Sequence, residues 1–209
     1  TTAGQFLPVV QELIDGLEAD CAAAGMEFNW FNTVDGVEFL DYVTDTALAR
    51  AQNILASYYA DGTQLDAWLC SNDSTALGVT QAIQSDYAGA NKSEIIITGQ
   101  DGDVANLKNI KDGIQSMTVY KAVANEAVVT LDLAKAILNG DTIDETLITN
   151  SAWDFECSYD TESYATSEGH NCPSFLLVPD VVTADNMQEK LVDTGYYTVG
   201  DDGYLVAAG

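Results

Sequence analysis

Residues 94–113 read EIIITGQDGDVANLKNIKDG, and the class of fold follows from how this stretch is built. Ile95, Ile96 and Ile97 form an unbroken β-branched run with no polar alternation, as in a strand buried on both faces. The loop GQDGD follows at once, and VANLKNIKDG then reads as a helix. A short apolar strand feeding a helix through a glycine-bearing loop is half of a βαβ unit.

The same unit recurs on either side. Upstream, LDAWLC (65–70) reads as a buried strand, followed by Ser71-Asn72-Asp73-Ser74 and a helix over TALGVTQAIQSDY. Downstream, IQSMTVY (114–120) reads as a third strand, leading through Lys121 into a long helix over 122–139 that ends at Asn139-Gly140. Nearer the start, residues 5–24 carry apolar positions at helical spacing, with Gly25 as the stop. MEFNWFN (26–32) reads as a strand and Asp35-Gly36 as a turn. Residues 45–60 form an amphipathic helix capped by Asp45 or Thr46 and closed by Asp61-Gly62. Beyond residue 140 the pattern weakens into polar loop until SFLLVP (174–179) and a final helix near 184–193. The expected architecture is α/β, a parallel sheet flanked by helices on both faces.

Composition narrows the function. The 209-residue chain is 47% hydrophobic, ordinary for a globular protein. It contains no apolar run of membrane-spanning length and no basic-then-apolar leader, so the sequence reads as a mature or trimmed product. Acidic residues outnumber basic ones 33 to 7, for a formal charge of −26. Such a chain repels phosphate backbones and anionic lipid, which argues against nucleic-acid partners and membrane-surface roles.

None of the four cysteines (Cys21, Cys70, Cys157, Cys172) forms a C-x-x-C pair. Cys70 lies in an apolar run and reads as core. Cys157 and Cys172 bracket the polar stretch SYDTESYATSEGHN; outside the cytoplasm a disulfide would close that loop, and two free thiols are the alternative. His170, the only histidine, reads as a loop residue, and no metal site or cofactor is expected. Without a G-x-S-x-G elbow, a Walker loop or a strand-borne G-x-G-x-x-G, the chain does not read as an enzyme.

In open parallel sheets ligands bind at the carboxyl ends of strands. Those positions hold Asn72 and Asp73, Gln100 and Asp101, and Tyr120 and Lys121. Sugar hydroxyls both donate and accept, so a site for them needs carboxylate, ammonium and amide groups together, with an aromatic face for the ring. Tyr42 and Trp30 are the aromatic candidates. Each polar residue also has a plain structural reading. Asp73 is most simply a helix N-cap, Asp101 equally suits the cap of the helix near Val104, and Lys121 reads as a solvated lysine, although a cation there opposes the helix dipole.

At these loops the sequence resembles a known family. LDAWLCSNDSTALGV (65–79), IIITGQDGDVANLKNIKDG (95–113), QSMTVYK (115–121) and PSFLLVPDVVTADNMQEKLVDTGYY (173–197) look like the periplasmic sugar-binding proteins of ABC importers, type I fold, in the xylose-binding and multiple-sugar-binding branch. The resemblance implies sugar contacts from Asn72, Asp101 and Lys121, with Tyr42 standing where that branch usually has a stacking tryptophan. It also implies a monosaccharide ligand such as xylose, glucose or galactose, a membrane permease as partner, a monomeric parent, and an extracytoplasmic address, periplasmic or as a lipoprotein. Set against the family, the chain reads as incomplete at its N-terminus. Residues 1–119 correspond to part of the C-terminal lobe, 122–180 to the segment returning to the N-terminal lobe with an insertion at 151–172, and 183–209 to the crossing back. The helix over 122–139 is then expected to expose an apolar face. The alternative implied by the same fold is a sugar-sensing receptor or the effector-binding domain of a transcriptional regulator.

Overall fold

The computed structural model describes residues 3–30, 42–166 and 168–208. The expected turn at Asp35-Gly36 lies outside the described residues, and residues 26–30 of the expected first strand form no strand. Helix α1 (Ala3–Ala24) ends at Gly25, whose φ of 70° is the left-handed geometry glycine adopts without strain. Helix α2 spans Thr44–Tyr58, strand β1 Ala67–Trp68, helix α3 Asp73–Asp86, strand β2 Ile96–Ile97 and helix α4 Val104–Lys111. Strand β3 (Thr118–Tyr120) and helix α5 (Val123–Asn139) complete the repeating part.

The sheet is parallel where the sequence predicts it. β1 pairs with β2 in register Ala67↔Ile96, and the exit of β2 bridges β3 in parallel through Gln100↔Val119. On the other side of β3 lies strand β6 (Asp180–Val182), antiparallel, with Thr118 opposite Val182. A late segment therefore closes the parallel run with an antiparallel strand, a common device in α/β sheets.

Helices α2 and α3 pack on one another and on the sheet. Ala51 and Leu55 meet Ala76, Val79, Ala82 and Ile83 over Ile95 and Ile97, all buried. Gly78 permits the close approach, since a Cβ there would stand 2.7 Å from the Leu48 nitrogen of α2. The cap of α2 differs from expectation. Val43 occupies the N-cap position with no side-chain bond, and the Thr44 hydroxyl instead donates to the Ser74 carbonyl at 2.9 Å. Tertiary attachment to α3 thus displaces local capping by Asp45 or Thr46.

A second core joins Leu107 and Ile110 of α4 to Val182, Met187, Leu191, Tyr197 and Leu205. It unites the centre of the chain with its end: the predicted final helix is a five-residue π-helical turn, Gln188–Val192, followed by the hairpin β7 (Tyr197–Val199) and β8 (Leu205–Ala207). The hairpin is fastened to α4 by Tyr204. Its hydroxyl donates to Asp112 at 2.8 Å, and Lys108 Nζ lies 3.5 Å from its ring centroid.

The region after residue 140 is more ordered than its polarity suggests. Helix α6 (Thr146–Asn150) precedes an antiparallel hairpin of β4 (Cys157–Asp160) and β5 (Ser174–Leu177). Asp160 Oδ1 turns the chain by accepting the Glu162 and Ser163 amides, and Tyr159 packs on Phe175 with centroids 5.0 Å apart. The register decides between the disulfide and the two free thiols, in favour of the thiols. Cys157 stands opposite Leu177, so Cys172 lies five residues further along the partner strand, roughly 16 Å away at strand rise. A bridge requires Cα atoms within about 7 Å, and all four cysteines are free thiols.

Candidate functional site

Three strand ends meet in one place. The amide of Asp73, after β1, donates to the Gln100 carbonyl after β2 at 2.7 Å, and the Asp101 amide donates to the Val119 carbonyl of β3 at 2.9 Å. Asn72, Asp101 and Lys121 therefore belong to adjacent loops of a single sheet edge.

Asn72, not Asp73, is the N-cap of α3. Its Oδ1 accepts from the Thr75 amide at 3.1 Å and from the Thr75 hydroxyl at 2.8 Å. The cap uses only the carbonyl side of the carboxamide, so the Nδ2 donors remain available. The structural and ligand-binding readings of Asn72 are compatible.

Asp101 adopts φ 114°, a region that L-residues rarely enter. This conformation carries its carboxylate to Lys121, whose Nζ lies 3.3 Å from Oδ1 with both side chains partly exposed. An exposed pair of this kind adds little to stability; it does set an acceptor and a donor side by side at the strand ends. Asp101 is not the cap of α4. That position belongs to Asp103, which makes no side-chain cap bond.

Asp73 is the residue whose role the sequence reading misassigned. Its side chain is fully buried. Oδ2 accepts the Gly102 amide at 2.9 Å and the Asp103 amide at 2.8 Å, while the Thr118 hydroxyl lies 2.9 and 3.0 Å from the two oxygens. Gln115 Nε2 adds a longer contact to Oδ1 at 3.3 Å, and Asn106 Nδ2 bonds both the Asp73 carbonyl and Gln115 Oε1. Burial pushes the Asp73 carboxyl up from 3.8 to about 6, against the lowering effect of these bonds. The detectable signal was Gln115 and Thr118, two buried polar side chains within the strand read as IQSMTVY. Gly99 completes the cluster, since a Cβ there would collide with Asp73 Oδ1 and stand 2.6 Å from Gln115 Nε2.

Aromatic rings flank the loop. Tyr120 packs against Tyr196 and Tyr197 with centroids 5.4 and 5.8 Å apart, and the Tyr197 hydroxyl donates to the Gly102 carbonyl at 2.7 Å. Tyr42 is exposed, with φ 58°, two residues before the Thr44 contact to Ser74, which ties its stretch of chain to the start of α3. The Trp30 indole N–H finds no acceptor among the described residues. Among the described residues no group of three His, Cys, Asp or Glu side chains is placed to hold a metal ion.

A parallel α/β sheet whose strand ends gather amide, carboxylate and ammonium groups is the architecture of a lobe of the type I periplasmic-binding-protein fold. The chain belongs to the periplasmic binding protein domain family, whose model matches residues 7–142. The family is one of binding proteins rather than enzymes. The chain is 32% identical over 165 residues to the multiple sugar-binding periplasmic receptor ChvE of Rhizobium radiobacter, covering 78% of this chain and 42% of that protein. It is 30% identical to the D-xylose-binding periplasmic protein of Escherichia coli K12, covering 78% and 43% respectively. Among solved structures, an ABC transporter solute-binding protein from Clostridium phytofermentans with bound β-D-glucose superposes with a TM-score of 0.65 at 37% identity, covering 91% of this chain and 53% of that one. The chain thus spans less than half the length of these two curated relatives.

Proposed function

We propose that this chain carries one half of a monosaccharide-binding cleft in an extracytoplasmic solute receptor that delivers its ligand to the membrane permease of an ABC importer. The observation that carries the proposal is the convergence of the Asn72 amide, the Asp101 carboxylate and the Lys121 ammonium on adjacent strand ends. Together they offer the donors and acceptors that vicinal sugar hydroxyls require. Lys121 and Asp101 pair with one another, Nζ to Oδ1 3.3 Å, so a hydroxyl inserted between them exchanges one polar partner for another and strands neither.

Residues 1–119 act in this reading as part of the C-terminal lobe, with the ligand-contacting loops, 122–180 as the return into the N-terminal lobe with an insertion at 151–172, and 183–209 as the crossing back. Helix α5 supports it. Val123, Leu131, Ile137 and Leu138 are 60–86% exposed, an apolar stripe suited to strands of a further lobe. The names of the relatives support a pentose or hexose as ligand and a location outside the cytoplasm; a periplasmic or a lipid-anchored receptor fits this reading. The proposal takes the intact receptor to work as a monomer.

Isothermal titration of the full-length protein with D-glucose, D-xylose, D-galactose and L-arabinose tests this. Saturable heat with at least one aldose is expected, weakened by Asp101→Ala and by Lys121→Ala by roughly ten- to a hundredfold each, the effect of stranding one polar partner. Flat titrations throughout refute it.

A further inference from the structure

We propose that Asp73 is the positioning residue of this site, a buried carboxylate that holds the Asp101 loop in its ligand-ready shape without touching ligand. The inference rests on the sugar-binding reading above. Asp101 sits at φ 114°, a backbone region that L-residues rarely enter, while Gly102 beside it takes φ 83°, which glycine adopts without strain. Something must hold Asp101 there. The amides immediately after Asp101, those of Gly102 and Asp103, both end on Asp73 Oδ2. The far side of the loop is pinned by the Asp101 amide on Val119 and by the Tyr197 hydroxyl on the Gly102 carbonyl. The Asp73 carboxylate is thus the anchor shared by α3, the 99–103 loop and, through Thr118, β3.

Among the described residues no cation bonds the carboxylate. Gln115, Asn106 and Thr118 are neutral, Cys70 on the β1 side has its thiol pushed up to about 12 by burial and by the Asp73 charge, and Tyr197 is raised by burial and then by Asp103 and Asp73. Asp103, raised by burial and by Asp101, adds further negative charge. Two amides and a hydroxyl, with the longer Gln115 contact, therefore carry the task of solvating Asp73. Charge-assisted bonds are about twice as strong as neutral ones, so the grip on the loop weakens when Asp73 is protonated. Ligand affinity is then expected to fall as the pH drops through about 6.

The test uses the full-length protein, wild type and Asp73→Asn, titrated with the best aldose from about pH 8 to about pH 5, a window that brackets the carboxyl's titration. The substituted carboxamide keeps the shape and one acceptor oxygen but no charge. The wild type is expected to lose roughly tenfold in affinity across this range, and the variant to bind at the acid-side value with a flat profile. In parallel, amide NMR of wild type follows Gly102 and Asp103, whose proton resonances are expected to titrate together near pH 6; this arm needs no variant to fold. A variant that retains both wild-type affinity and the wild-type pH profile overturns the proposal, as do Gly102 and Asp103 amides that do not titrate. If no aldose binds the wild type at any pH, the sugar-binding reading fails and the positioning proposal falls with it. Binding that is lost in Asp101→Ala yet indifferent to Asp73→Asn sinks the positioning role alone.

Discussion

Protonating Asp73 should make the fold more stable. The carboxyl titrates near 3.8 in the unfolded chain and at about 6 in the folded one, because burial penalises its charge more than its hydrogen bonds reward it. A folded-state value raised above the unfolded one means that the native state binds more protons between about pH 4 and 6. The stabilisation is complete below the unfolded value and is lost as pH rises through the folded value. Integrating the linkage from about pH 7 to pH 5 gives about 1.3 kcal/mol in favour of the acid condition, rising to about 2.4 kcal/mol near pH 4. The exposed carboxylates held below their usual value by hydrogen bonds, among them Asp61, Asp86 and Asp160, contribute with the opposite sign. Their loss falls below about pH 4, beneath this window. Urea unfolding of wild type and Asp73→Asn at about pH 7 and pH 5 reads the difference. The wild type should gain about 1.3 kcal/mol more than the variant on acidification, over a background that relief of the −26 charge gives both. Identical gains in the two proteins would refute the argument that the buried charge is strained. Together with the affinity expected of the same group, this makes Asp73 a residue whose ionisation costs stability and serves the site.

Gly99→Ala should destabilise by about 1–3 kcal/mol, because its Cβ would collide with Asp73 and Gln115; a midpoint in urea equal to wild type would show that the cluster yields. Leu55→Ala, at the centre of the α2–α3 core, should cost about 2–5 kcal/mol by the same measurement. Thiol titration of the denatured, unreduced protein should find four reactive cysteines. In the native protein Cys172, exposed, should react fast and Cys70, its thiol pushed up to about 12, should react last. Fewer than four thiols after unfolding would contradict the strand register.

The polar region after residue 140 shows where local reading fell short. WDFECSY (153–159) alternates inward and outward in the structure, and that period of two was present in the sequence. Its polar content, and the cysteines bracketing the stretch beyond it, drew attention to a closed loop; the hairpin is held by Tyr159 meeting Phe175 across the strands, a contact no local pattern announces. Likewise the start of α2 followed from Thr44 reaching Ser74, and no local propensity at Asp45 or Thr46 encodes that.

What the sequence determined alone were the features that depend on neighbours along the chain. Runs such as IIIT, the spacing of apolar residues in the helices, and glycines at helix ends are local signals, and over residues 65–139 they suffice for strand, loop and helix in the right order. Because strand ends in such a sheet face one side, that order also pointed to Asn72 and Asp73, Gln100 and Asp101, and Tyr120 and Lys121, which the family resemblance narrowed to Asn72, Asp101 and Lys121. Tertiary structure alone decided the division of labour among them. Asn72 and Asp73 are adjacent, equally polar and equally suited to capping. Only the approach of Gly102, Asp103 and Thr118, 29 to 45 residues away, makes one a cap with free donors and the other a buried anchor.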